Sequence, residues 1–344
     1  MPVNNVAVIG GGSFGTVIAN IIAHNGHYTQ LWMRDAEQVE SLNMTRENQQ
    51  YLPGYAIHPM VQAQHDLHAV VRSADTIFIA VPSASFRSVV RQMQPDLKPG
   101  VIFISATKGI EAVTFKLMSQ ILAEEVPGSR IAVLSGPNLA KEIAQRSPTG
   151  TVVASNDGEV RRMVQAMLRS DTFRVYANDD MLGVELGGSL KNIYAIIAGL
   201  AASIGMGTNT IAMLITRGLT EMARFGVCMG ADPMTFLGLS GVGDLVVTCS
   251  SPLSRNYRVG EALGEGKDID KIIADLGQVA EGVNTLKQVK ERADELKVPM
   301  PLCASLYEII YNKAPIDHII ASLMLEETEL DVEFEVGKAK LLTH

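Results

Sequence analysis

The chain has 344 residues, 47% of them apolar, and a formal net charge of −8. That length exceeds one ordinary hydrophobic core, so two domains are expected, and the acidic balance excludes a broad nucleic-acid surface. A phosphate-bearing small molecule would then need a local, specific pocket. In chain order, the first signal is Val6, Ala7, Val8 and Ile9 running into Gly10-Gly11-Gly12-Ser13-Phe14-Gly15, followed by the small and apolar residues Thr16 to Ile22. Strand, tight turn and helix in that order give the G-x-G-x-x-G pattern its proper context. Gly10 permits the turn, Gly12 admits a pyrophosphate to the backbone, Gly15 lets helix and strand pack closely, and the helix start offers free N–H groups. The pattern points to a dinucleotide.

Further strands are expected at Gln30 to Met33, Thr76 to Val81, Val101 to Ser105, Ile131 to Ser135, Gly150 to Ala154 and Phe173 to Tyr176. Amphipathic segments such as Ser85 to Met93 and Val113 to Glu124 lie between several of them. Alternation of this kind predicts an α/β, doubly wound Rossmann sheet. From Asn178 onward helical periodicity takes over: Asp180 to Ser203 with Leu186, Leu190, Ile193 and Ile197 on one face, then Asn209 to Met229, Ser254 to Leu263, Ile269 to Leu276, Asn284 to Glu295 and Pro301 to Tyr311. The expected division is a dinucleotide-binding domain over residues 1–178 and an all-helical, substrate-binding and dimerisation domain over 179–344. The longest apolar stretch, Ile193 to Ile204, is too short for a membrane span and reads as a core helix. The acidic segment Glu326 to Glu335 reads as a solvated end. Three cysteines, Cys228, Cys249 and Cys303, lie far apart with no C-x-x-C pair, so neither a disulfide framework nor a zinc site is indicated. With no secretory pattern before the first strand, a reducing, cytoplasmic location is expected.

Several loops carry chemistry. Lys108, in Ser105-Ala106-Thr107-Lys108-Gly109, follows a strand and should lie at the carboxyl edge of the sheet, as a site cation or a solvated lysine. In Ser135-Gly136-Pro137-Asn138, Gly136 would permit close approach, and Asn138 suits a helix cap or a ligand contact equally. Gly187-Gly188 inside the long predicted helix costs roughly 1 kcal/mol per glycine and asks for a close neighbour. Lys191 follows among apolar residues, an environment that could lower its pKa for acid/base work, although a snorkelling lysine fits as well. Gly243-Asp244, Thr248 and Ser254-Arg255-Asn256 bring a carboxylate, a hydroxyl and a guanidinium into a short span, with Ser254 as a cap and Arg255 as phosphate receptor.

Taken in order, GGGSFGT, VPS, ATKG, SGPNLAKE, VELGGSLKNIYAI, TRGLTEM, GLSGVGDLVVTCSSPLSRN and VAEG resemble the bacterial-type NAD(P)-dependent glycerol-3-phosphate dehydrogenases over nearly the whole chain. The resemblance implies reversible hydride transfer between NAD(P)H and dihydroxyacetone phosphate, giving sn-glycerol 3-phosphate for phospholipid synthesis. It implies Lys191 as the acid/base, Lys108 as a second active-site lysine touching substrate and cofactor, and Gly136, Asn138, Asp244, Ser254, Arg255 and Asn256 as substrate contacts. Ser13, Phe14, Arg34, Ala140, Val279 and Glu281 are implied as cofactor contacts, with Arg255 also reaching the cofactor. A homodimer through the helical domain is implied as well. Phe14 stands where an indole is common, and Asn138 where a small hydroxyl residue is usual. The second predicted strand ends Arg34-Asp35, offering both a guanidinium for a 2′-phosphate and an acid for a ribose hydroxyl, and the reading favours NADP with some use of NAD. Two rival readings are a β-hydroxyacid or 6-phosphogluconate-type dehydrogenase, and a protein that senses NAD(P) without turnover.

Overall fold

Val6–Ile9 form strand β1, and all four residues are buried. A strand apolar on both faces belongs inside a parallel sheet with helices on each side. In the computed structural model of the chain, which describes residues 5–276 and 280–317, those helices and strands alternate as expected. After β1 come α1 (Ser13–His24), β2 (Thr29–Trp32), α2 (Ala36–Thr45), β3 (Glu47–Asn48), β4 (Leu52–Ala56), β5 (Val61–Gln64), α3 (Leu67–Ser73), β6 (Thr76–Ile79) and α4 (Ser83–Met93). The chain continues through β7 (Ile102–Ser105), α5 (Met118–Glu125), β8 (Arg130–Ser135), α6 (Ala140–Ala144), β9 (Thr149–Ala154), α7 (Gly158–Leu168) and β10 (Phe173–Asn178).

The main sheet has eight strands in the order β10-β9-β8-β7-β6-β1-β2-β5. The chain builds outward from β1 through β2 to β5, then returns to place β6 on the other side of β1. That reversal opens a crevice beyond the carboxyl ends of β1 and β6, where doubly wound sheets bind ligands. One apolar cluster, including Val8, Ile18 and Phe78, covers one face of the sheet; another, including Ile9, Phe86 and Phe103, covers the other.

In the nucleotide half, three features differ from the sequence reading. The 46–64 segment, which carried no expectation, contributes edge strand β5 and a two-stranded antiparallel hairpin, β3–β4. Strand β9 runs antiparallel to β8, because the short connection through five-residue α6 turns the chain back instead of carrying it across the sheet. The helix expected from Val113 starts only at Met118; Val113 is 94% exposed, and a bridge between Ile110 and Leu117 closes the preceding loop on itself.

Beyond β10 the described residues are helical: α8 (Met181–Ser203), α9 (Thr208–Cys228), α10 (Asp244–Ser250), α11 (Arg255–Gly264), α12 (Ile269–Leu276), α13 (Glu281–Leu296) and α14 (Pro301–Tyr311). Asp180 caps α8 by accepting from the Gly183 N–H at 2.8 Å. The sequence suggests one apolar face on α8; the structure buries it on nearly all sides, among α9, α10, α11 and α13. Close packing depends on glycine: a Cβ on Gly199 would lie 2.0 Å from the Tyr257 carbonyl oxygen, and one on Gly260 1.9 Å from that of Ile196. Among the described residues no helix is long and apolar enough to cross a membrane. Val279 and the acidic segment Glu326 to Glu335 lie outside the described residues.

Candidate active site

The glycine-rich turn has the shape its sequence requires. Gly10 sits at φ +116°, and a Cβ on Gly15 would fall 1.9 Å from the Gly10 carbonyl oxygen, so neither position accepts a side chain. A Cβ on Gly12 would meet nothing within 4 Å, and Gly12 caps α1 without any side-chain hydrogen bond. The turn therefore offers open space beside unclaimed N–H groups, which fits a dinucleotide pyrophosphate. The Ser13 hydroxyl donates to the Tyr51 carbonyl at 2.6 Å, and Phe14 packs half-buried against the sheet's apolar cluster. At the end of β2, Asp35 is committed to capping α2, accepting from the Glu37 and Gln38 N–H groups at 2.9 and 3.2 Å, while Arg34 is exposed.

Across the crevice, two lysines from different domains meet one carboxylate. Lys108, on the loop after β7, donates to the Gly136 carbonyl at 2.9 Å and to Asp244 Oδ2 at 2.5 Å. Lys191, on α8, donates to Asp244 Oδ1 and, at 2.6 Å, to the Thr248 hydroxyl. Asp244 is 1% exposed and Lys191 6%. Burial lowers the Lys191 pKa to about 7; the Lys108 charge assists, and the attraction of Asp244 opposes without prevailing. Thus Lys191 does not snorkel to solvent.

The paired glycines on α8 explain how this approach is possible. A Cβ on Gly187 would stand 2.5 Å from the Ser240 carbonyl oxygen, in the tight 239–243 turn that delivers Asp244, and one on Gly188 would stand 2.4 Å from Ser135 Oγ. Gly136 takes φ +141°, which lets β8 end against Thr151 of β9. Asn138 does not cap a helix: α6 is capped at Leu139 with no side-chain bond, and the Asn138 amide donates instead to the Thr151 hydroxyl at 2.9 Å. Backbone geometry decides this, because Asn138 lies one residue too early for the cap position. Ala140 opens α6.

Ser254 caps α11 as expected, accepting from the Tyr257 N–H at 3.2 Å. Arg255 opens that helix, accessible to solvent yet crowded by protein atoms; the crowding lowers its pKa, with Glu281 opposing. Asn256 donates to the Asn192 side chain at 2.9 Å and accepts from the Gly282 N–H at 3.0 Å, which joins α8, α11 and α13 beside Lys191. Glu281 reaches across to the nucleotide domain, accepting from the Ser83 N–H at 3.0 Å and the Ser83 hydroxyl at 2.6 Å.

The structure thus joins Lys108, Gly136, Lys191, Asp244 and Thr248 in one hydrogen-bonded cluster, places Ser254, Arg255 and Asn256 on the adjoining helix, and leaves the glycine turn and Arg34 to the nucleotide half. Asn192, Ser83 and Thr151, which hold these residues in place, were not singled out as partners in the sequence. For Ser83 a signal was present: Val81-Pro82-Ser83 ends an expected strand on the ligand-binding edge.

Residues 5–161 match the family described as NAD-dependent glycerol-3-phosphate dehydrogenase N-terminus, and residues 180–321 match the corresponding C-terminus. The chain is 56% identical over 329 residues to a glycerol-3-phosphate dehydrogenase [NAD(P)+] of Pseudomonas fluorescens, covering 96% of both chains. It is 54% identical over 332 residues to that of Saccharophagus degradans, covering 96% of this chain and 93% of that one. The crystal structure of glycerol-3-phosphate dehydrogenase from Coxiella burnetii superposes with a TM-score of 0.90 at 36% identity, over 94% of this chain and 99% of that one. A nucleotide crevice, a buried lysine–aspartate–lysine cluster and matches across both domains converge: the chain belongs to the NAD-dependent glycerol-3-phosphate dehydrogenase family.

Proposed function

We propose that this chain catalyses reversible hydride transfer between NAD(P)H and dihydroxyacetone phosphate, giving sn-glycerol 3-phosphate, the backbone precursor of phospholipids. The observation that carries this reading is the Lys191–Asp244–Lys108 cluster at the mouth of the dinucleotide crevice. The bound cofactor supplies the hydride that reduces carbon 2. Lys191, with a pKa near 7, gives a proton to the ketone oxygen in reduction and takes it back in oxidation. Asp244 holds both ammonium groups in register, and Lys108 adds a second positive charge where alkoxide charge develops. Arg255, at the start of α11 beside Ser254 and Asn256, anchors the substrate phosphate, so binding energy remote from carbon 2 fixes its position. Gly136 and Asn138 border the same space.

Substrate-dependent oxidation of NADPH tests this directly. Turnover with dihydroxyacetone phosphate and poor reaction of phosphate-free dihydroxyacetone are expected; equal kcat/KM values would overturn the phosphate anchor, and no turnover would favour a cofactor sensor. In the nucleotide half, the glycine turn, Ser13, Phe14, Arg34, Ala140 and Glu281 contact the dinucleotide, with NADPH preferred over NADH. The protein works in the cytoplasm as a homodimer through its helical domain; exposed Met213 and Val227 on α9 support the dimer, and sedimentation velocity reads it.

A further inference from the structure

The β3–β4 hairpin is laced to α1 at three successive points along one face of the helix. The Ser13 hydroxyl donates to the Tyr51 carbonyl at 2.6 Å; the Thr16 hydroxyl accepts from the Asn48 amide at 2.8 Å; and Asn20 donates to the Ala56 carbonyl at 3.2 Å and accepts from the His58 N–H at 2.7 Å. Asn48 is the centre of this lacing. It is 3% exposed, and its amide nitrogen also donates to the Gly11 carbonyl at 2.8 Å, while its oxygen accepts from the Tyr51 N–H at 3.2 Å. A carbonyl can only accept and an N–H can only donate, so the orientation of the amide is fixed by its partners.

We propose that Asn48 is a positioning residue for the cofactor: it sets the peptide plane between Gly11 and Gly12, and the hairpin acts as a strap that keeps the glycine turn ready for a pyrophosphate. In a trans peptide the carbonyl and the next N–H point in opposite directions. Holding the Gly11 carbonyl on Asn48 therefore turns the Gly12 N–H away from the hairpin, toward the open side of the turn, where a Cβ on Gly12 would meet nothing. The Thr16 hydroxyl adds a second, longer contact to the same carbonyl at 3.4 Å; without these partners the peptide would be free to rotate, since glycine flanks it on both sides and gives it no steric preference. The strap removes that freedom before the ligand arrives, so binding need not supply the ordering. This inference rests on the dinucleotide reading of the turn.

The test compares two fragments on the whole protein by calorimetry or ligand-observed NMR. ADP-ribose carries the pyrophosphate; 2′-AMP carries only the adenosine end. Asn48→Ala should weaken ADP-ribose about tenfold, the scale of one or two lost hydrogen bonds, and change 2′-AMP less than about twofold. Thr16→Val, which removes both the acceptor for Asn48 and the longer bond to the Gly11 carbonyl, should show the same selectivity at about threefold, and Thr16→Ser, which keeps the hydroxyl, should restore wild-type affinity. The Thr16 pair leaves the hairpin sequence intact, so the comparison stands even where Asn48→Ala folds poorly. Unchanged ADP-ribose affinity in both Asn48→Ala and Thr16→Val, or equal loss of both fragments, overturns the strap alone. Failure of the wild type to bind ADP-ribose overturns the dinucleotide reading and the strap with it.

Discussion

Lys191 shows how burial and charge compete at a single atom. Beside Asp244 alone an ammonium would hold its proton more tightly, but full burial and a neighbouring lysine shift the balance toward neutrality near pH 7. Ketone reduction needs the protonated form, so kcat/KM for dihydroxyacetone phosphate should fall as pH rises through about 7, and that for glycerol 3-phosphate oxidation should rise. Lys191→Ala should lower kcat by about 10² or more while leaving cofactor affinity nearly intact; near-normal turnover in the folded variant would make the lysine structural. Arg255→Ala should mainly raise KM for the phosphorylated substrate, since the contact it removes exists before the transition state; steady-state kinetics would reveal a wrong assignment as a pure loss of kcat. Arg34 is the proposed reader of the cofactor's ribose. With Asp35 occupied in capping α2, the proposed contact of the guanidinium with a 2′-phosphate would contribute roughly 1.5–3 kcal/mol. Arg34→Ala should weaken NADPH about tenfold and barely change NADH. Equal losses for both cofactors, or a wild type that prefers NADH, would show that the ribose is read elsewhere.

At the scale of elements, the helical domain is governed by how closely α8 lets its neighbours approach. Helix propensity alone favours alanine over glycine by about 1 kcal/mol. At Gly260 the order reverses, because a Cβ would stand 1.9 Å from the Ile196 carbonyl oxygen and 2.6 Å from the Leu200 nitrogen, both backbone atoms that cannot swing aside. Gly260→Ala should therefore destabilise the protein by about 1–3 kcal/mol, read as a lower denaturant midpoint, whereas a rise in stability would mean that α8 and α11 slide apart cheaply. The glycines of the pair Gly187-Gly188 were recognisable as needing close neighbours; which neighbours, Ser240 and Ser135, was not, because they come from segments about 50 residues away on either side. Asn138 illustrates the opposite case. Its residue type suits a cap, yet the turn places Leu139 at the cap position and turns the amide to Thr151.

For the whole molecule, a buried carboxylate helps to join the two domains. Glu185 of α8 accepts from the Ser119 N–H at 3.0 Å and from the Ser119 hydroxyl, at the start of α5 in the other domain. Burial raises its pKa to about 7; within the helical domain, burial likewise raises Glu221 to about 7 among Tyr194 and the N–H groups of Leu302 and Cys303. A carboxyl with a raised folded pKa contributes stability that is present below its unfolded pKa of about 4.5 and is lost as pH rises through about 7. Glu185→Gln keeps the shape without the charge, so its stability relative to wild type should improve between pH 5 and pH 8, by up to the order of 3 kcal/mol. A pH-independent difference in unfolding free energy would show that the carboxylate is not strained by burial.

The sequence alone determined the kind of molecule this is. A strand running into three spaced glycines, apolar runs of strand length, and a change to helical periodicity near Asn178 are local patterns, written within a few residues of one another. The block around Lys191, Asp244 and Arg255 was legible for the same reason, since each member sits in a short motif of its own. Tertiary structure alone decided the rest. The sharing of Asp244 by Lys108 and Lys191 spans 136 and 53 positions; the reach of Glu281 to Ser83 spans 198; and the lacing of Asn48 to Gly11 spans 37. Such contacts leave no periodicity to read. They exist because the sheet and the helices bring distant residues together, and a buried charge or amide must then find its partner there or lose the hydrogen bonds it had in water.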